Sequence, residues 1–146
     1  MFLEEIRVSG HLRICKYDIN GNLKQEVFVN NLVTNLGKSF LAQRAISNSV
    51  PFASHIAVGS GTTPASTGNN ELQAEIDRLP LNTLTFSDNQ IVHNVTLGLG
   101  EAVGTLSEAG IFTDSSGGTM IARTTFDPLV KTAEDIFNIE WRIVIG

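Results

Sequence analysis

Apolar and polar positions alternate with a period of two through most of the chain, the pattern of strands with one face in a core. The clearest run lies near the end of the sequence. Phe137, Ile139, Trp141, Ile143 and Ile145 fall on one face, and Asn138, Glu140, Arg142 and Val144 on the other. This predicts a strand in the middle of a sheet or against a neighbouring chain. Leu12 and Ile14 alternate with Arg13 and Cys15, Asp18 to Asn22 supply turn chemistry, and Val27 and Val29 alternate with Glu26 and Phe28, which predicts a first hairpin. Ser54 to Val58 reads as a short strand. Leu84 and Phe86 lead into a Ser87-Asp88-Asn89-Gln90 turn, and Ile91, His93, Val95, Leu97 and Leu99 return on one face.

The most informative stretch runs from Thr105 to Pro128, predicted as strand, glycine turn and strand. A turn of about five residues places Phe112 opposite Met120 and Ile111 opposite Ile121. One face then holds Leu106, Phe112, Met120, Ala122 and Phe126 and is expected to be buried. The other holds Thr105, Ser107, Thr113, Thr119, Arg123 and Thr125 and is expected to be wet. Glu108 falls on the apolar side. A carboxylate there must find donors or be protonated, because burial without a partner costs several kcal/mol. Arg123 lies on the opposite face in this register, so a direct pair needs a bulge, for which Gly110 is the natural site. Arg78 and Arg142 are the other candidate partners. Glu108, with Arg123 and Arg78, is thus expected to be a structural anchor.

The period changes to that of a helix in one place. Thr34 or Asn35 can cap it, and Leu36, Phe40, Leu41 and Ala45 form an apolar stripe, with Gly37 weakening its first turn. Glu71 to Leu79 is expected to form a short helical turn before Pro80. The whole predicts an all-β fold, a mainly antiparallel, jelly-roll-like β-sandwich with one short α-helix near residues 35–46 packed on the sheet. A single domain is expected over 10–146, preceded by an N-terminal arm, 1–9, whose Phe2, Leu3 and Ile6 are candidate assembly contacts.

Charge and composition remove several functions. The net charge of −5, with lysines and arginines scattered, argues against nucleic acid and against a membrane surface. One cysteine, Cys15, allows no internal disulfide. The first residues carry no basic, apolar secretion pattern and no stretch is long enough for a membrane helix, so folding in the cytoplasm is expected. Gly59 to Pro64 is glycine-rich but lacks the lysine and following helix of a phosphate loop. The Asp18 to Asn22 turn has Val27 and Phe28 where a calcium loop needs its last ligand. His11, His55 and His93 lie in separate elements without metal-type spacing. There is no Gly-x-Ser-x-Gly elbow, Ser87-Asp88-Asn89 stands without the rest of its hydrolase set, and no carboxylate pair faces an aromatic cleft. No catalytic, cofactor or metal residue is expected, and the chain is not expected to be an enzyme.

Four blocks together carry a resemblance. VNNLVTNLGKSFLAQRA (29–45), HIAVGSGTTPAS (55–66) with Glu71, Leu72, Glu75 and Arg78 behind it, SEAGIFTDSSGGTMIARTTFDPLVK (107–131) and FNIEWRIVI (137–145) occur in this order. The chain from about Gly10 onward resembles small tail-fibre-like or baseplate-associated structural proteins of tailed bacteriophages and prophages. The resemblance implies a virion subunit of tail, tail fibre or baseplate, assembled as a homo-oligomer, with a trimer favoured, and contacting other virion proteins. A host-surface receptor is a further partner to consider. The alternatives are a head-fibre or capsid-decorating protein and a carbohydrate-binding module of the host surface. Few aromatic residues disfavour the last.

Overall fold

The computed structural model describes residues 5–146. Its strands are β1 (Val8–Tyr17), β2 (Leu23–Val33), β3 (His55–Gly59), β4 (Glu75–Pro80), β5 (Thr83–Ser87), β6 (Gln90–Leu97), β7 (Gly104–Phe112), β8 (Met120–Lys131) and β9 (Ile136–Ile145), with one helix, α1 (Asn35–Ile46). They form one nine-stranded sheet in the order β4-β3-β7-β8-β2-β1-β9-β6-β5. The pairings are antiparallel. The fold is all-β with a single short helix.

The sandwich is therefore one sheet bent over itself and not two separate sheets. The bend lies where β2 meets β8, through only Leu32↔Arg123 and Val33↔Ala122. Beyond these pairs the two strands splay, and the halves close face to face. Leu12, Ile14, Phe137, Ile139, Trp141 and Val95 from one half pack with Ile56, Val58, Ala109, Ile111 and Ala122 from the other. β9 lies between β1 and β6, which explains the strict alternation of its sequence. The indole N–H of its Trp141 donates to Asn31 Oδ1 at 2.9 Å. A Cβ at Gly10 would collide with that same oxygen, so Gly10 makes room for the bond.

The central hairpin departs from its expected register. Phe112 does face Met120, but Ile111 pairs with Ala122, not Ile121. Ile121 is an extra residue on β8, a bulge. A bulge shifts every following side chain to the other face, so Arg123 stands opposite Gly110 and shares the face of Glu108. The bulge thus sits at Ile121 and not at Gly110. A second irregularity sets Phe126 to Pro128 against Ser107. Both faces of the hairpin are covered, since Leu106 to Phe112 and Met120 to Thr124 are buried throughout. Ala109 and Ile111 join the main core. Phe112 and Met120, expected on the core side, lie instead on the outer face, which the 60–74 loop covers through Leu72 packed with Ala57, Phe112 and Met120.

Other boundaries move for similar reasons. The expected helical turn at 71–79 is instead strand β4 from Glu75, paired with β3 through Ile56↔Leu79 and Ala57↔Arg78. β1 begins at Val8, inside the expected arm, because Val8 and Ser9 pair with Ile145 and Val144 of β9. On α1 the buried residues are Gly37 and Phe40, with Leu41 and Arg44 partly covered, while Leu36 and Ala45 face solvent. The stripe turns because the helix docks by its first turn. Thr34 caps it, its Oγ accepting from Gly37 N–H at 2.9 Å and donating to Met120 O at 2.6 Å. Its own N–H donates to Ile121 O at 3.0 Å. Gly37 then lies directly on Ile121, and a Cβ there would run into the Ile121 carbonyl.

Gly37→Ala, normally favourable in a helix, is expected to destabilise this protein by about 2 kcal/mol or more because the backbone beneath it has no room to yield. Thermal unfolding of the variant checks this, and an unchanged or higher melting temperature would contradict the docking.

Candidate functional site

The structure brings Glu108 and Arg123 together and leaves Arg78 elsewhere. Glu108 is 0% exposed. Its Oε1 accepts from Arg123 Nε at 3.2 Å, Arg123 Nη2 at 3.1 Å and Gln73 N–H at 2.9 Å. Its Oε2 accepts from the N–H groups of Gly61 and Ala74, both at 2.7 Å. A charged acceptor held by this many donors is stable in the interior only as a set. The arginine is equally committed, since its Nη1 donates to Asn69 Oδ1 at 3.2 Å.

These bonds account for the glycine-rich loop. One of its amides, Gly61 N–H, does hold an anion, but the anion is the chain's own Glu108, which Gln73 and Ala74 N–H further along the same segment also hold. A Cβ at Gly61 would overlap the carboxylate, and one at Gly59 would overlap Ala74 O. Gln73 then ties the loop to itself, its Oε1 accepting from the N–H groups of Thr62 and Thr63 at 3.0 Å each. Ser107 Oγ donates to Gly61 O at 2.9 Å. With every carboxylate lone pair engaged, this cluster fastens a loop and offers no acceptor to a substrate.

Arg78 secures the neighbouring turn. Its guanidinium carbon lies 3.7 Å from the centroid of the Phe112 ring, and Nη1 donates to Asp114 O at 3.0 Å and Gly117 O at 2.8 Å. Its salt bridge is with Glu75, at 2.7 Å. Arg142 is also occupied elsewhere, by Glu140 at 2.6 Å. Of the candidate arm, Ile6 is 67% exposed, and Phe2 and Leu3 lie outside the described residues.

A second region was not singled out by sequence. At the end of the sandwich beside α1, an apolar cavity of about 130 Å³ lies between Phe40, Leu41, Phe52, Ala53, Leu84 and Ile91. Buried His93 is on its wall, and its Nδ1–H donates to Trp141 O at 3.0 Å. Burial pushes the His93 pKa below its ordinary 6.5, against the smaller opposing effect of the carbonyl. Arg44 lies across the mouth, 4.0 Å above the Phe52 ring, and donates to Val50 O at 2.7 Å. The lip outside is uncovered: Leu84, Phe86 and Phe52 are 39%, 82% and 62% exposed. Leu84 pairs with His93 and Phe86 with Ile91, so both belong to the core side of β5. The sequence shows their alternation, but not that the opposite half stops short of them.

Lys131 is another buried charge that the sequence pattern does not mark. Its ammonium is buried and donates to Gly98 O at 2.8 Å, and burial lowers its pKa. Among the described residues no group of His, Cys, Asp and Glu side chains is arranged to hold a metal ion. No family profile, no curated protein and no solved structure matches the chain.

Glu108→Ala leaves Arg123 buried and the 61, 73 and 74 amides without their acceptor. It is expected to cost about 3–5 kcal/mol, which a melting curve reads as a fall of roughly 10 °C. A neutral result would show that the cluster is not an anchor. For His93 the lowered folded pKa means that the unfolded chain binds more protons once the pH drops below about 6.5. Stability contributed by the neutral ring is thus complete above that pH and declines on acidification through it. Melting temperatures at pH 7.5 and 5.5 should differ more for the native protein than for His93→Gln.

Proposed function

We propose that the protein is a structural subunit of a phage virion, belonging to a tail, tail fibre or baseplate and acting through protein–protein assembly. The observation that carries this reading is the open lip on β5. Leu84 and Phe86 lie on the core side of an outermost strand, and the chain leaves them exposed beside Phe52. Apolar residues of this size on an unpaired edge suit contact with another protein. The tail-protein resemblance of the 29–45, 55–66, 107–131 and 137–145 blocks supplies the setting. The polar clusters support it from another direction: Glu108, Arg123 and Arg78 spend their charge on fastening loops, which suits a rigid building unit. The reading assigns the protein no reaction and no cofactor, and places it in the particle together with other virion proteins as a homo-oligomer.

Mass spectrometry of purified particles from the phage or prophage that encodes the chain tests this. The chain is expected in the particles at a stoichiometry of several copies, with antibody labelling at the tail in electron micrographs. Particles that lack it would overturn the proposal, and label confined to the head would replace the tail with the head surface.

A further inference from the structure

Among the described residues the unpaired strand edges are not alike. β4, at one end of the sheet, carries Glu75, Asp77, Arg78 and Pro80, and charges and proline are what keep an edge from pairing. The splayed part of β2 carries Lys24 and Glu26, the latter paired with Arg13 at 2.7 Å. Along β8, Asp127 and Pro128 interrupt the edge, and Lys16 Nζ donates to Val130 O at 3.0 Å. β5, at the other end of the sheet, reads Thr-Leu-Thr-Phe-Ser. It has no charge, no proline and no bulge in its pairing with β6.

Which backbone groups of β5 are free follows from the hairpin. Ser87 closes the two-residue turn against Gln90, so Ser87, Thr85 and Thr83 direct their N–H and C=O groups at β6. The groups of Leu84 and Phe86 then point outward, on the same residues whose side chains are uncovered on the core side.

We infer that β5 is the contact by which two copies of this chain pair, antiparallel, across a two-fold axis at Thr85. A second copy fits this edge for a specific reason. About Thr85 the strand is self-complementary: Leu84 of each copy meets Phe86 of the other, and these are the residues with free backbone groups on both sides. Each Phe86 gains an aliphatic neighbour and comes to stand beside Leu84 at the mouth of the apolar cavity, as a cross-strand pair. The chain carries a net charge of −5, so two copies repel over most of their surfaces, whereas this strand contributes no charge to the contact. The proposal deepens the assembly reading above and rests on it.

Mass in solution across a wide concentration range tests the contact. The protein is expected to be a concentration-dependent dimer. Phe86→Lys, and Leu84→Pro, which removes an outward N–H without touching β6, should each weaken the dimer at least about tenfold with unchanged far-ultraviolet circular dichroism. Glu75→Gln on the opposite edge should leave it intact. A covalent readout guards against variants that fold poorly. In a Cys15→Ser background, Thr85→Cys should oxidise to a disulfide-linked dimer because the axis sets the two copies of that position face to face. Thr83→Cys should not. A monomer at every concentration, an oligomer indifferent to both β5 variants, or equal crosslinking at both positions would overturn the inference. A protein found in particles with a mass insensitive to β5 removes this contact and leaves the virion reading standing. A β5-dependent dimer absent from particles does the reverse.

Discussion

The extra residue at Ile121 is the constraint from which the rest of this structure follows. Strand side chains alternate strictly, so a single inserted residue reassigns everything after it to the opposite face. Before the bulge, Met120 joins Phe112 on the outer face. After it, Ala122 joins the core and Arg123 arrives on the outer face, where Glu108 requires a cation. The bulge also sets the place of α1. Met120 O and Ile121 O receive the hydroxyl and amide of Thr34, and Gly37 settles against the same carbonyl. One irregularity thus serves both layers, pinning a helix on one side and enabling an ion pair on the other.

The Glu108–Arg123 pair is less a source of stability by itself than a way of organising a loop. Burying an ion pair costs nearly as much as its attraction returns, so an isolated pair would contribute little. Here the carboxylate also satisfies the amides of Gly61, Gln73 and Ala74, which the loop would otherwise have to cover without partners. A long segment with little secondary structure of its own becomes a fixed lid over Ala57, Phe112 and Met120. The cost of such a device is dependence: the loop, the pair and the small outer core stand together. Glycines at 59 and 61 follow as steric requirements, because backbone and carboxylate must approach more closely than any side chain allows.

Periodicity carried the strands well because most of them are covered on one face by a single core, the case in which alternation is informative. It carried the single helix too, through Thr34 and the change of period. It failed where burial was two-sided or the register slipped. Leu106 to Phe112 alternates in sequence but is buried on both sides, since a loop distant in the chain covers the outer face. Glu108 stood out as an irregularity, and its need for a donor was legible; that the slip occurs at Ile121 was not, because any residue can occupy such a bulge while glycine only makes it easier. The β4 segment deceived for the opposite reason. An edge strand buries few side chains, and Leu79 is the one fully covered residue in it, too little for a period to register.

The two ends of the sheet show what one chain can and cannot reveal about assembly. An edge strand that must remain single has to be made unattractive, and β4 meets that need with three charges and a proline in a six-residue strand. If β5 were also meant for solvent alone, the same pressure would act on it, and its outward-facing backbone beside Leu84 and Phe86 would be a liability. The asymmetry is therefore more telling than the exposure of any one residue. Scattered surface hydrophobics are common in folded proteins and need no partner. An uncharged edge that also carries the uncovered end of the core, opposite an edge so thoroughly protected, is the asymmetry that the proposed contact between copies accounts for.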